Sequence, residues 1–176
     1  MPLLRVALFL ILIGAMPQPS TAAELPSRKP GLWEVRMSIE GRNAPPQVIL
    51  QCIDAATDQM MQSSAGPFSA EVCPKRDVQH SANSITIDSA CTIAGKAATA
   101  HAIITGSFDS AYTMTVTSQS EALPGGTMTM TIDGKWLGPC TADEKPGDMI
   151  FSNGRKINLL DAMKGMPPPG APLVPR

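Results

Sequence analysis

Alternation of apolar and polar residues with a period of two is the feature that most limits the folds open to this chain. Every second residue is apolar from Trp33 to Ile39 and again from Met128 to Ile132. Such alternation is typical of half-buried β-strands. Five more segments fit the pattern: 48–52, 72–80, 84–93, 98–108 and 112–116. The sequence therefore predicts an all-β domain of about seven strands with minor α content.

Short loops between the later segments predict an antiparallel meander. Pairing Phe108 with Tyr112, and Tyr112 with Trp136, keeps the apolar side chains on one face across three strands. On the other face, Thr117 then lies opposite Thr131. We expect a sheet that is curved or partly barrel-like, with a sandwich and an open sheet as alternatives.

Two short helices complete the predicted elements. One lies near Ala55–Gln62, and a C-terminal one runs from about Arg155 to Lys164 with Asn153 as its cap. The second helix is expected to cover one end or face of the sheet. A proline-rich tail, residues 166–176, follows it and is expected to be disordered.

The N-terminus has the order of a secretory signal peptide. Arg5 lies in an apolar run that ends at Met16, too short for the about 20 residues that span a bilayer. Small residues follow, so we place cleavage after Ala23, with Ala22 as the alternative. The predicted organisation is a signal peptide at 1–23 and one domain at 24–165, with no membrane span in the mature protein.

Composition limits the partners of this domain. The formal net charge is -1 and the sequence pI is about 6.1, so no basic field favours nucleic acid. The 17 prolines and 14 glycines indicate many turns.

Four cysteines follow the leader, and an exported chain is expected to oxidise them. Four cysteines allow three pairings. A hairpin that pairs His80 with Ser84 puts Cys73 opposite Cys91, which leaves Cys52 for Cys140. The same hairpin puts Asp88 opposite Arg76, which predicts a cross-strand ion pair.

Several short motifs also carry a resemblance. These are Pro30-Gly31-Leu32-Trp33-Glu34, Gln51-Cys52, and Trp136-Leu137-Gly138 ending in Cys140. Together they resemble an exported proteobacterial family, domain of unknown function 3617. The resemblance implies a Gram-negative source and a periplasmic location, and it implies no activity.

No catalytic motif was recognised, so the chain is expected not to be an enzyme and to need no cofactor. A hydrolase built on His101, Asp88 and a serine has no geometry to support it. The spacing of the cysteines and histidines does not fit a metal site.

Methionine is the unusual component, with eleven residues, of which Met1 and Met16 precede the predicted cleavage site. Core packing is the favoured interpretation. One alternative is an apolar cavity faced by Met114, Met130 and Trp136, and another is a Cu(I) site of Met114, Met128 and Met130. Threonines on the opposite face indicate a plain solvated surface, or a surface that contacts glycan.

Two functions remain open from the sequence. The first is a non-enzymatic periplasmic binding module for an apolar or envelope-derived ligand. The second is a structural or protein-interaction protein of the cell envelope, in which the C-terminal helix seals the apolar face.

Overall fold

The computed structural model describes residues 25–63, 72–93 and 95–164. The predicted signal peptide and proline-rich tail lie outside these residues. Within them, the predicted β-rich fold is confirmed as one open antiparallel sheet of nine strands with a short C-terminal helix. The strands are β1 Gly31–Ile39, β2 Gln47–Ile53, β3 Lys75–His80, β4 Ser84–Ile93, β5 Lys96–Ser107, β6 Ala111–Ser120, β7 Thr127–Gly138, β8 Asp148–Phe151 and β9 Lys156–Asn158. The helices are α1 Ala55–Ser63 and α2 Leu159–Lys164.

The order of strands across the sheet is β3-β4-β5-β6-β7-β1-β2-β8-β9. Strands β3 to β7 form the predicted meander, and β1 pairs with β7 at its end. The chain between β2 and β3 therefore leads from one half of the sheet to its far edge. The described parts of that connection are residues 54–63, which include α1, and residues 72–74.

The predicted register of the meander is offset by two residues. Tyr112 lies opposite Gly106 and Gly134 rather than Phe108 and Trp136, and Thr117 lies opposite Thr129. Gly106 suits this position because its φ is 96° and a Cβ there would overlap the backbone of Ala111. An offset of two keeps every side chain on its predicted face, so the two faces survive the error.

The β3–β4 hairpin is offset by one residue. A two-residue turn follows Ser81, whose backbone N–H donates to Ser84 O at 2.8 Å, and His80 pairs with Ile85. Arg76 consequently lies opposite Ser89, and the predicted ion pair with Asp88 is wrong. Asp88 contacts His101 on β5 instead.

Both predicted disulfides are nevertheless present. The Thr92 N–H donates to Val72 O at 2.8 Å, so the strands beside Cys73 and Cys91 have the register that the sequence predicts. The change in register falls at Pro74, which has no N–H to donate. The second disulfide joins Cys52 to Cys140.

The C-terminal helix is shorter than predicted. Residues from Lys156 to Asn158 pair with β8 as a strand, and α2 begins only at Leu159. Its cap is Asn158, whose Oδ1 accepts from the backbone N–H of Leu160 at 3.0 Å. Asn153 instead accepts from the Arg155 N–H in the β8–β9 turn.

Helix α1 begins with a reciprocal cap. Asp54 Oδ1 accepts from the Thr57 N–H at 2.8 Å, and Thr57 Oγ1 accepts from the Asp54 N–H at 2.9 Å. The hydrogen bond from the Thr57 backbone lowers the pKa of Asp54. This cap starts the helix directly after β2, and Met61 of α1 packs against the apolar face of the sheet.

Candidate ligand groove

One face of the sheet surrounds an apolar groove. All eight strands from β1 to β8 contribute residues to its lining, together with α1 and the segment before β1. Because one face of so many strands meets a single cavity, the sheet must curve around it. We call this the concave face and the other the convex face. The groove has a volume of about 510 Å³, within the range of about 300 to 1,000 Å³ usual for small-molecule sites.

Methionines form much of the groove wall. The five that line it come from five different elements, and each is half-buried: Met37, Met61, Met114, Met130 and Met149. Smaller apolar side chains lie among them: Val35, Ile87, Ala100, Ala102 and Ile132. Methionine side chains adapt to ligands of different shape because they are unbranched and have several rotatable bonds.

An aromatic cluster closes one end of the groove. The Tyr112 ring lies over Gly134, where a Cβ would overlap it. Its centroid is 5.0 Å from that of Phe108 and 5.7 Å from that of Trp33. Trp33 is fully buried, and its indole N–H donates to Lys29 O at 2.8 Å. The three aromatic rings therefore fill this end of the groove.

A buried ion pair supports the helical wall of the groove. Arg28 Nε and Asp58 Oδ1 are 2.7 Å apart, and the Arg28 backbone N–H donates to Asp58 Oδ2 at 2.7 Å. Gln62 donates to the same carboxylate, and Gln51 Oε1 accepts from Arg28 Nη1 at 2.8 Å. The polar groups of this network satisfy one another, so they hold α1 and the segment before β1 against β2.

Two of the three predicted ligand-facing residues line the groove. Met114 and Met130 do so, whereas Trp136 lies outside the lining. The Trp136 indole donates to Pro30 O at 3.2 Å, and Lys29 Nζ lies 3.7 Å from its ring centroid. The register offset explains the difference, because Tyr112 faces Gly134 and Trp136 lies two residues further along β7.

The convex face is polar and bears the predicted threonines. Thr115 pairs with Thr131, and Thr117 with Thr129. His101 Nδ1 and Asp88 Oδ1 are 2.8 Å apart, with their side chains 49% and 55% exposed. Both side chains are about half exposed to water, and no buried environment surrounds them that could prepare the histidine for catalysis. An ordinary contact on a solvated surface explains this pair.

A Cu(I) site of Met114, Met128 and Met130 was one alternative that the sequence left open. Among the described residues, no three His, Cys, Asp or Glu side chains are placed to hold a metal ion. The predicted thioether set is also separated, because Met128 lines a different depression, beside Pro124.

Sequence reasoning missed part of the groove. Alternation from Trp33 already placed Met37 on the concave face, so it could have been included. Arg28 and Asp58 are 30 residues apart, and no local pattern links them. Met149 lies in a four-residue strand, too short to show a period.

The fold and groove define an antiparallel β protein with an apolar cavity and two disulfides. The chain belongs to the family DUF3617, protein of unknown function, whose model matches residues 28–140. It matches no curated protein and no solved structure. The disulfides indicate an oxidising, exported environment. No helix in the described part of the chain is long and apolar enough to cross a membrane.

Proposed function

We propose that this protein is a non-enzymatic periplasmic binding module that holds an apolar, envelope-derived ligand in the groove. The observation that carries the proposal is the apolar cavity itself, lined by five methionines on the concave face. Export is part of the proposal: the signal peptide is cleaved after Ala23 and the two disulfides form in the periplasm.

The shape of the groove favours a slender ligand. The aromatic cluster of Trp33, Tyr112 and Phe108 blocks one end. Ala100 and Ala102 of β5 form the floor of the groove, and their small side chains leave space above the sheet. A single alkyl chain can cross such a floor towards the thioethers of Met114 and Met130, which lie on the next two strands of the sheet. Binding the alkyl chain there removes from water the apolar surface of the ligand and that of the groove.

The alternative function, an envelope protein with a sealed apolar face, lacks its expected cover. From α2, only Leu159 reaches the groove, while Leu160 and Met163 are exposed. Single exposed apolar residues such as Ile103 and Leu137 are ordinary on a protein surface. No observation on the described residues therefore favours this alternative.

The test is displacement of a neutral apolar dye, 1-N-phenylnaphthylamine, from the exported, disulfide-bonded protein by n-alkanols of increasing length. Each added methylene contributes about 0.8 kcal/mol, so we expect affinity to rise about fourfold per carbon until the groove is full. Failure of the dye and of every alkanol to bind would contradict the proposal.

A matched pair of variants locates the binding. Met130→Lys puts a charge on the groove wall and should abolish dye binding, because a neutral apolar dye would bury the ammonium group without a counter-charge. Thr131→Lys adds the same group to the adjacent position on the convex face and should bind dye as the unaltered protein does. Circular dichroism of both variants checks that each is folded. Equal loss in the two would place the dye outside the groove.

A further inference from the structure

Arg76 is the groove residue that an apolar ligand leaves unexplained. It lies on the edge strand β3, directly opposite Ser89 of β4, and both residues line the groove. Its side chain is exposed. The groove is therefore apolar along its length and carries a cation at the edge formed by β3.

All the charge that lines the groove is positive. Among the described residues, its charged side chains are Arg28 and Arg76, and no carboxylate lines it. Arg28 is only 7% exposed and is already paired with Asp58. That leaves the Arg76 guanidinium as the accessible charge.

Arg76 has no ion-pair partner within the described part of the chain. The carboxylate expected for it, Asp88, projects from the convex face and contacts His101 instead. Lys75 and Asp77, its neighbours on β3, alternate to the convex side, opposite Ala90 and Asp88. A guanidinium presents several N–H donors in a planar fork that matches a carboxylate or phosphate.

We propose that the ligand is a single-chain amphiphile with a carboxylate head, of the fatty-acid class, whose head pairs with Arg76. Its alkyl chain then runs from the β3 edge along Ala100 and Ala102 towards Met114 and Met130. This assignment rests on the proposed binding function and adds the polarity and direction of the ligand to it. It commits to an anionic head by charge complementarity, since no described residue of the groove lining carries a negative charge that would pair with a cationic one.

A charge on an edge strand also discourages strand pairing between molecules, and the experiment separates that role from ligand binding. Isothermal titration at neutral pH compares three probes with the same twelve-carbon chain: dodecanoate, dodecanol and dodecyltrimethylammonium. All three are used below the concentration at which they form micelles. We expect dodecanoate to bind about tenfold more tightly than dodecanol, as one charge-assisted contact allows, and the cation to bind more weakly than the alcohol.

Two variants of β3 assign the preference to one side chain. Arg76→Gln should bind dodecanoate and dodecanol equally while keeping the affinity for dodecanol. Lys75→Gln removes the same charge from the opposite side of the same strand and should keep the tenfold preference. Monomer content measured by light scattering reports any role of either cation in preventing association.

The outcomes separate this inference from the function on which it rests. Equal binding of dodecanoate and dodecanol to the unaltered protein, or a preference that survives in Arg76→Gln, overturns the head-group assignment and leaves the groove function standing. Binding of none of the probes overturns both.

Discussion

The concave and convex faces are built from the same strands, yet their side chains meet very different surroundings. On β6, Met114 lines the groove and its neighbour Thr115 belongs to the convex face. On the concave side, the buried side-chain polar groups of the described residues have hydrogen-bond partners, as Arg28 and Asp58 do. On the convex face, the Asp88–His101 contact is about half exposed. The same alternation therefore yields one face suited to binding and one suited to water.

The two disulfides also lie on opposite faces. Cys91 follows the groove residue Ser89 by two positions, so it projects to the concave side, where it packs with Cys73 and Ala98. Cys52 follows the groove residue Gln51 directly, so it projects to the convex side. The length of the loop that each bridge closes should determine how much it contributes to the free energy of unfolding. The face on which it lies should determine whether its loss changes ligand affinity.

The largest expected effect is loss of the Cys52–Cys140 bridge. It spans 88 residues, and the chain-entropy model gives about 4 to 5 kcal/mol for such a loop, against about 3 kcal/mol for the 18 residues of Cys73–Cys91. Urea unfolding of Cys52→Ala/Cys140→Ala and Cys73→Ala/Cys91→Ala measures both. Dye affinity should fall only in the second pair, whose bridge lies beside the groove. The reverse order of stabilities would show that loop length does not control them.

The next largest effect is a difference in unfolding free energy between substitutions of two carboxylates, one on each side of the sheet. Asp58→Asn keeps the shape of the side chain but leaves the buried Arg28 charge without a counter-charge, which should cost about 3 to 5 kcal/mol of unfolding free energy. Asp88→Asn disrupts an exposed pair and should cost less than about 1 kcal/mol. Urea denaturation at neutral pH with the disulfides intact measures both. Similar losses in the two variants would contradict the contrast between the faces.

The sequence was sufficient for the fold class because alternation depends only on neighbouring residues. The register predicted at Tyr112 was wrong by two residues, but an even offset keeps each side chain on its predicted face. Met114 and Met130 were therefore assigned to the correct side. The one-residue error at Arg76 was costly, because it moved that side chain to the wrong face. Turn lengths decide such errors, and the residues around Ser81 do not determine a turn length uniquely.

Long-range features of the site could not be predicted from the sequence. The pairing of β1 with β7 and of Arg28 with Asp58 joins segments that no local pattern relates. Strands β8 and β9 have four and three residues, fewer than a period needs. Their pairing is decided by the edge that β2 offers, which exists only after the sheet has formed.

The smallest expected effect concerns pH and a carboxylate beneath the convex side. Asp148 directly precedes the groove residue Met149 and is 4% exposed. Its burial acts to raise the pKa, but hydrogen bonds from Asn158, the Lys145 N–H and Lys156 outweigh this, so the pKa of Asp148 is lowered overall. Asp88, by contrast, is an exposed carboxylate of the same face.

A lowered pKa makes Asp148 stabilising above the pKa of about 3.9 that an aspartate has in the unfolded chain. This contribution is lost as the pH falls through the lower pKa of the folded state. Asp148→Asn should therefore lose about 1 kcal/mol at neutral pH, and its stability should converge on that of the unaltered protein in acid. Urea unfolding measured from neutral pH into acid checks this, and curves for Asp148→Asn that stay parallel to the unaltered protein would show that its hydrogen bonds do not depend on charge.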